Sequence, residues 1–287
     1  MNINEFYKKI DDILYQEHDD ITKYEKWSLL KKEIKDSKKH PVKISRLLDI
    51  IKVNFNENKK INILDHGCGG SYSLIYLFAL GYENIYGVDI GEDSQDVNNF
   101  LSIILKKKVF RRLVSDGKNL SFQDLFFDII FTQQVLEHVS FSHQKIFLKE
   151  ENRVMKAGGI AYHQIPHKLV PYESHIKIWF LHWLPKKLFV ILCKLLKKNY
   201  RFVENDLWLQ FPWTIKSNLT KYIGKTKNLS NERIGIFNNE SSEFSGLSYL
   251  LRKFVSEICK IPFFGRHISK VLSLFIMLET VSFKAKI

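Results

Sequence analysis

Residues 63–90, ILDHGCGGSYSLIYLFALGYENIYGVDI, constrain this chain more than any other stretch. A short apolar run ends at Asp65. Glycines follow at Gly67, Gly69 and Gly70. SLIYLFAL (73–80) then reads as an apolar helix that Gly81 stops, and NIYGVD (84–89) as a second strand that ends in an acid. Glycines adopt positive φ and let a backbone come close to a ligand. The helix that follows begins with unsatisfied N–H groups, at the carboxyl edge of a parallel sheet, where open α/β folds bind ligands. An acid at the end of the second strand can accept hydrogen bonds from both hydroxyls of a ribose. The segment therefore predicts a site for a nucleoside-containing molecule.

The same rhythm continues to residue 165. VFRRLVSD (109–116), FFDIIF (126–131) and GIAYHQI (159–165) read as further strands, with a helix over roughly 142–156 that ends at Gly158 and Gly159. Strands separated by helix-length segments imply βαβ units and a parallel sheet covered on both faces. Before residue 58 the apolar spacing predicts two or three helices. After Pro166 the rhythm breaks into an aromatic, lysine-rich segment (167–202) and a polar, loop-prone one (203–245). FIMLETVSF (275–283) closes the chain as a strand. With 45% hydrophobic and 26% charged residues, the composition excludes a disordered or disulfide-scaffold protein. Cys68, Cys193 and Cys259 form no CxxC pair and suggest a reducing compartment.

Two common nucleotide signatures fail. A dinucleotide fingerprint needs a third glycine where Tyr72 stands, and no G-K-S/T follows for a P-loop. An acid two residues before the first glycine, with Cys68 between glycines, instead resembles class I S-adenosylmethionine-dependent methyltransferases. The resemblance runs from about Ile61 to Ile165. It includes DHGCGGS (65–71), GVDI (87–90), SDGKNL (115–120), FDIIFTQQVLEHV (127–139) and RVMKAGGIAYHQIP (153–166). The VLEHV and K-x-G-G elements are similar to the methyltransferase type 11 group, whose members modify small molecules, lipids and sugars. One departure is Ser71, which stands where the family has a third glycine.

The resemblance implies a fold: an α/β, Rossmann-like, doubly wound, mostly parallel sheet of about seven strands. Residues 1–58 would be an N-terminal helical cap, 59–166 the S-adenosylmethionine-binding core, and 167–287 a basic aromatic lid insertion with closing strands. It also implies roles for the cofactor S-adenosyl-L-methionine. Asp65 and the backbone of Gly67, Cys68 and Gly69 would face the methionine end. Asp89 would take the ribose hydroxyls, with Ile90 beside the adenine. Asp116 and the Gly117 amide would meet the adenine amine, and Gln133 or Gln134 would line the methionine side.

Methyl transfer to a hydroxyl needs a base. His138, His163, His167 and Glu137 lie at or after the ends of strands four and five. His167, past the strand end, and His138 are the catalytic candidates, whereas His163 is read as packing on its strand. His175 and His182 are read as aromatic-cluster or surface residues. Some relatives that act on quinone-ring hydroxyls place acids before a similar E-H pair and need a divalent cation. Gln133 and Gln134 replace those acids, and neutral amides are weak ligands for a hard cation, so no metal is expected.

The net charge is +13, unevenly spread: +3 over residues 1–60, −2 over 61–165 and +12 over 166–287. An excess confined to one part points to an anionic partner there. In 178–199 an apolar body carries Trp179 and Trp183 at one end and a stripe of Lys186, Lys187, Lys194, Lys197 and Lys198. Such a helix can lie in an anionic membrane surface, Lys outward and Leu and Phe inward. The expected acceptor is a small-molecule, lipid-linked or glycan hydroxyl. The alternatives are RNA, which is not favoured because no RNA-binding module or N-P-P-Y-type motif is present, and an inactive cofactor-binding scaffold at the membrane. The N-terminus lacks a secretory h-region and no stretch is apolar enough to span a bilayer, so the expected location is cytoplasmic, at most membrane-peripheral.

Overall fold

The computed structural model describes residues 42–69, 72–90, 111–113, 118–236 and 264–286, with isolated positions at 8, 253–254, 257–259 and 261. The expected helices before residue 42, Gly70, Ser71, Asp116 and Gly117 lie outside the described residues. Two compact units are distinguished. One is Met1–Thr132 with Glu150–Ala161 and Lys286–Ile287; the other is Gln133–Lys149 with Tyr162–Ala285.

In the first unit, α1 (Val42–Phe55) buries Ile44, Leu47 and Ile51, the spacing that puts apolar side chains on one helical face. In chain order there follow β1 (Asn62–His66), α2 (Tyr72–Ala79), β2 (Asn84–Asp89), β3 (Arg111–Leu113), β4 (Phe127–Gln133), α3 (Phe141–Val154) and β5 (Met155–Ile165), of which Gln133, residues 141–149 and residues 162–165 belong to the second unit. β1 runs parallel to β2 on one side and to β4 on the other, and β2 runs parallel to β3. The strand order is β3-β2-β1-β4-β5. Chain order thus reverses between β2 and β4, with β1 at the switch, where open α/β sheets place ligands. Ile63, Leu64, Ile129, Ile130 and Phe131 are buried without alternation, as strands covered on both faces are.

Gly81 stops α2 as the sequence predicts. It has φ +84°, its amide donates to Phe78 O at 2.8 Å, and Tyr82 N donates to Leu77 O at 3.1 Å. That left-handed glycine cap satisfies the last carbonyls. α3 ends earlier than expected, at Val154 rather than at Gly158–Gly159, and β5 starts at Met155. The amides of Leu125 and Phe126 take the carbonyls of Arg153 and Val154, which draws the chain into the sheet before the glycines are reached.

The second unit continues with β6 (Tyr172–Glu173) and β7 (Ile178–Trp179), an antiparallel ribbon. α4 (Lys186–Leu195) and α5 (Tyr200–Asn205) follow, and with the ribbon they share a small core of Ile176, Ile178, Phe189, Val190, Cys193, Val203 and Leu207. After α6 (Pro212–Tyr222), β8 (Lys225–Asn228), α7 (Ser230–Ile236) and α8 (Phe264–Leu272), β9 (Leu278–Phe283) pairs antiparallel with β8. Here the order is β5-β9-β8. The sequence reading missed β8 because KTKN is a lysine-bearing edge strand with no apolar alternation. α4 is also shorter than the expected helix: β7 and a 3-10 turn at Leu181–Trp183 take its start, and Lys197 and Lys198 lie past its end. Among the described residues, no helix is long and apolar enough to cross a membrane.

Candidate functional site

The glycine loop of the first unit leaves β1 directly. The amides of Gly67 and Cys68 both donate to Val88 O, at 2.8 and 3.0 Å, so the loop lies against the end of β2. The next amide, Gly69 N, donates to Asp89 Oδ2 at 2.7 Å. Gly67 (φ +92°) and Gly69 (φ +47°) take the conformations that L side chains rarely adopt. Among the described residues, a Cβ at Gly69 would meet nothing within 4 Å, which leaves room over the loop for a ligand to touch backbone. Below it, His66 Nδ1 and Glu151 Oε1 are 2.9 Å apart, both buried, and anchor the loop's root to α3. Asp65 is buried, and burial, reinforced by the charge of Asp89, pushes its carboxyl well above the usual carboxylate range. Ile90 is 69% exposed beyond the strand end.

The second unit holds the other expected residues. Gln133 ends β4 and is half-buried. Gln134 follows with φ +58°, its amide donating to Gln164 O at 2.9 Å. Non-glycine residues held at positive φ cluster at functional sites.

His167 is not placed as a base. Its Nε2–H donates to Ile276 O at 2.7 Å, and Leu169 N donates to Nδ1 at 3.2 Å. With the proton committed on one nitrogen and the lone pair of the other occupied, the ring is a buried brace for the chain before β9. Burial, with the nearby His182, lowers its pKa to about 4, against the pull of the Ile276 carbonyl. His163 is buried on β5, in line with a packing role, and His182 is also buried, donating to Val170 O at 2.6 Å.

His138 differs. Its Nδ1–H donates to Asp206 O at 2.8 Å, which leaves the lone pair on Nε2. Burial lowers its pKa, the Asp206 carbonyl opposing. Beside it, Glu137 is 1% exposed, on a 3-10 turn at Leu136–His138 whose Glu137 carbonyl accepts from Trp208 N at 2.6 Å. Neither carboxylate oxygen of Glu137 has a hydrogen-bond partner of ordinary geometry. Burial therefore raises its pKa to about 8; its own amide offsets part of this and the charge of Glu173 adds to it. The third member is His175, on the turn between β6 and β7. Its Nδ1 is 2.6 Å from Glu173 Oε1, and Glu173 also accepts from the amides of His175 and Ile176. One donor atom from each of Glu137, His138 and His175 lies within 4.8 Å of the others. The sequence sets Glu137 and His138 side by side but does not join His175 to them. No spacing signal links them, since the β6–β7 ribbon is what carries His175 there. The His175 ring does sit in an aromatic cluster, with centroids 4.9 Å from His138 and 5.3 Å from Phe202.

Residues 64–163 match the family described as methyltransferase domain. The match marks this stretch as a methyltransferase domain. Over 150 residues the chain is 25% identical to the ubiquinone biosynthesis O-methyltransferase of Rickettsia prowazekii (strain Madrid E), across 50% of this chain and 57% of that protein. The chain thus spans little more than half the length of that relative. Among solved structures, a Pyrococcus horikoshii OT3 protein is 25% identical, covering 44% of this chain and 54% of its own, with a TM-score of 0.38. Haemonchus contortus phosphoethanolamine N-methyltransferase 2, in complex with S-adenosyl-L-methionine, is 14% identical, covering 84% of this chain and 53% of its own, with a TM-score of 0.48.

The expected family, sheet architecture and cofactor are borne out. S-adenosylmethionine is the cofactor of such a methyltransferase domain, and the loop fits it chemically. Asp65, costly to ionise alone, suits the cofactor's ammonium. Asp89 suits ribose hydroxyls, and the open space over Gly69 suits close backbone contact.

Proposed function

We propose that this chain uses S-adenosylmethionine to methylate an oxygen of a lipid-linked or other amphipathic small-molecule or glycan acceptor at an anionic membrane surface. When bound, the cofactor supplies a methyl already activated by its sulfonium. The chain's part is to hold the cofactor through Asp65, Gly69 and Asp89 and to present the acceptor.

The observation that carries the acceptor half is an exposed aromatic run in the second unit. Tyr172, Trp179, Phe180 and Trp183 make successive ring contacts, with centroids 5.0, 5.8 and 5.1 Å apart. All four remain exposed, Trp179 at 60%. α4 adds to this. Phe189, Val190 and Cys193 face the small core, while Leu188, Ile191 and Leu195 form an exposed outer row next to Lys187 and Lys194. The helix therefore has two apolar faces, one on the small core and one exposed. Lys186 leaves the expected stripe, its Nζ lying 3.2 Å from the Trp208 ring centroid. Aromatic rings and leucines flanked by lysines favour the headgroup boundary of an anionic bilayer. The name of the Rickettsia prowazekii relative, an O-methyltransferase of ubiquinone biosynthesis, supports oxygen as the methylated atom.

The test is a labelled-methyl assay on the full chain against fractionated lipid, glycan and RNA extracts. Label in the lipid fraction is expected. Label only in RNA would replace this reading with the RNA one. Binding of S-adenosylhomocysteine with no transfer to any fraction would favour a scaffold.

A further inference from the structure

We propose that Glu137, His138 and His175 form a binding site for one divalent transition-metal ion of the zinc class. The proposal does not rest on the methyl-transfer reading.

Three features point to an ion. First, Glu137 is a carboxyl buried to 1% exposure, with neither oxygen in a hydrogen bond of ordinary geometry. A buried polar group in that state costs free energy unless it is neutral or meets a cation. Second, both histidines have their Nδ1 committed, His138 to the Asp206 carbonyl and His175 to the Glu173 carboxylate. That leaves Nε2 of each ring as the nitrogen not taken up by those partners. Metal-binding histidines are oriented in this way, the other nitrogen donating to a carbonyl or carboxylate. Third, the donors converge. His138 Nε2 is 3.9 Å from Glu137 Oε1, and one donor atom of each residue is within 4.8 Å of the others. Bonds of about 2.0–2.2 Å to a common ion require a modest further approach, which side-chain rotation can supply.

The donor set selects the ion. Two imidazoles and one carboxylate suit zinc and its borderline neighbours rather than magnesium or calcium, which prefer all-oxygen sites. Three protein ligands leave one position open, the pattern of sites that bind an exogenous oxygen rather than closed structural sites. Phe202, with centroids 5.8 Å from His138 and 5.3 Å from His175, walls the cluster with apolar surface. The ion would also pin the β6–β7 turn to the 3-10 turn after β4, joining two segments of the second unit.

The test begins with the full chain stripped by chelator. Co2+ serves as a spectroscopic probe and Zn2+ as titrant. One equivalent of Co2+ should bind with visible d–d absorption, and Zn2+ should raise Tm. His175→Ala, on an exposed turn, should fold and lose both effects, as should Glu137→Gln. Glu173→Gln should weaken Zn2+ binding by about 10–100-fold. Absence of Co2+ bands and of Zn2+ heat in the wild type, or unchanged binding in His175→Ala, would overturn the site. S-adenosylhomocysteine titration of the same samples reports separately on the glycine loop, so failure of one site is not failure of the other.

Discussion

Gly69 N donates to Asp89 Oδ2 at 2.7 Å, so the acid that ends β2 also sets the shape of the loop that leaves β1. One carboxylate thus has two tasks, and two substitutions separate them. Asp89→Asn keeps an acceptor for the Gly69 amide but loses the charge. It should leave Tm near the wild-type value and weaken S-adenosylhomocysteine by at least about tenfold, or 1.4 kcal/mol. Asp89→Ala should lose both affinity and some stability, because the loop amide is left without that partner. Calorimetric titration with thermal melts checks this. Wild-type affinity in Asp89→Asn would remove Asp89 from the ribose.

Asp65 makes the opposite trade. Its carboxyl titrates above the unfolded value of 3.8 because burial, and then Asp89, oppose ionisation. The folded chain therefore holds this proton more tightly than the unfolded one. The associated stability is complete below pH 3.8 and is lost as pH rises through the raised folded value. Asp65→Asn never ionises. Without cofactor it should melt higher than the wild type at neutral pH, with the gap closing toward pH 3.8. It should also fail to bind S-adenosylhomocysteine. A variant less stable than the wild type at pH 7 and equally able to bind would contradict the assignment.

The parts of this chain that were legible in the sequence are those where local chemistry and tertiary role coincide. The buried strand that carries Asp65, the left-handed turns at Gly67 and Gly69 and the helix cap at Gly81 follow the sequence because each demands its residue types locally. The position of His167 after β5 says nothing of Ile276, far along the chain, whose carbonyl accepts a hydrogen bond from its Nε2–H. His175 was passed over for a similar reason: a ribbon of two short strands, invisible to periodicity, delivers it to His138. The outer row of α4 escaped notice because both of its faces are apolar, and composition cannot say which one is covered.

His167 gives a pH prediction of the other sign. Its folded pKa is about 4 against an ordinary 6.5, so the unfolded chain binds the extra proton first as pH falls. Its contribution is complete above pH 6.5 and is lost as pH drops through about 4, on the order of 3 kcal/mol over that window. His167→Gln keeps a donor for the Ile276 carbonyl and does not titrate. Its stability should fall less steeply than the wild type's between pH 6.5 and 4. Urea midpoints across the window measure this, and parallel curves would show that the ring does not titrate as a buried brace must. Wild-type methyl transfer at pH 7 by a folded His167→Gln would confirm that this ring is no base.

The exposed aromatic run can be separated from the fold that displays it. Trp179, Phe180 and Trp183 lie outside the small core of Ile178, Phe189 and Val203; Trp179 contacts Tyr172 and Phe180, whereas Trp183 also stacks on Phe275 and donates Nε1–H to Val170 O. Replacing Trp179, the most exposed of them at 60%, with Ser should therefore leave Tm nearly unchanged. If the run inserts at the headgroup boundary, the same variant should stay at the bottom of a flotation gradient with anionic vesicles while the wild type rises. Lys187→Gln with Lys194→Gln should act through a different force. Each lysine near an anionic surface contributes about 1 kcal/mol, screened by salt. The double lysine variant should then lose binding most clearly at low salt, whereas the tryptophan variant should lose it at any salt. Equal flotation of all three proteins would assign the aromatic run to something other than a bilayer.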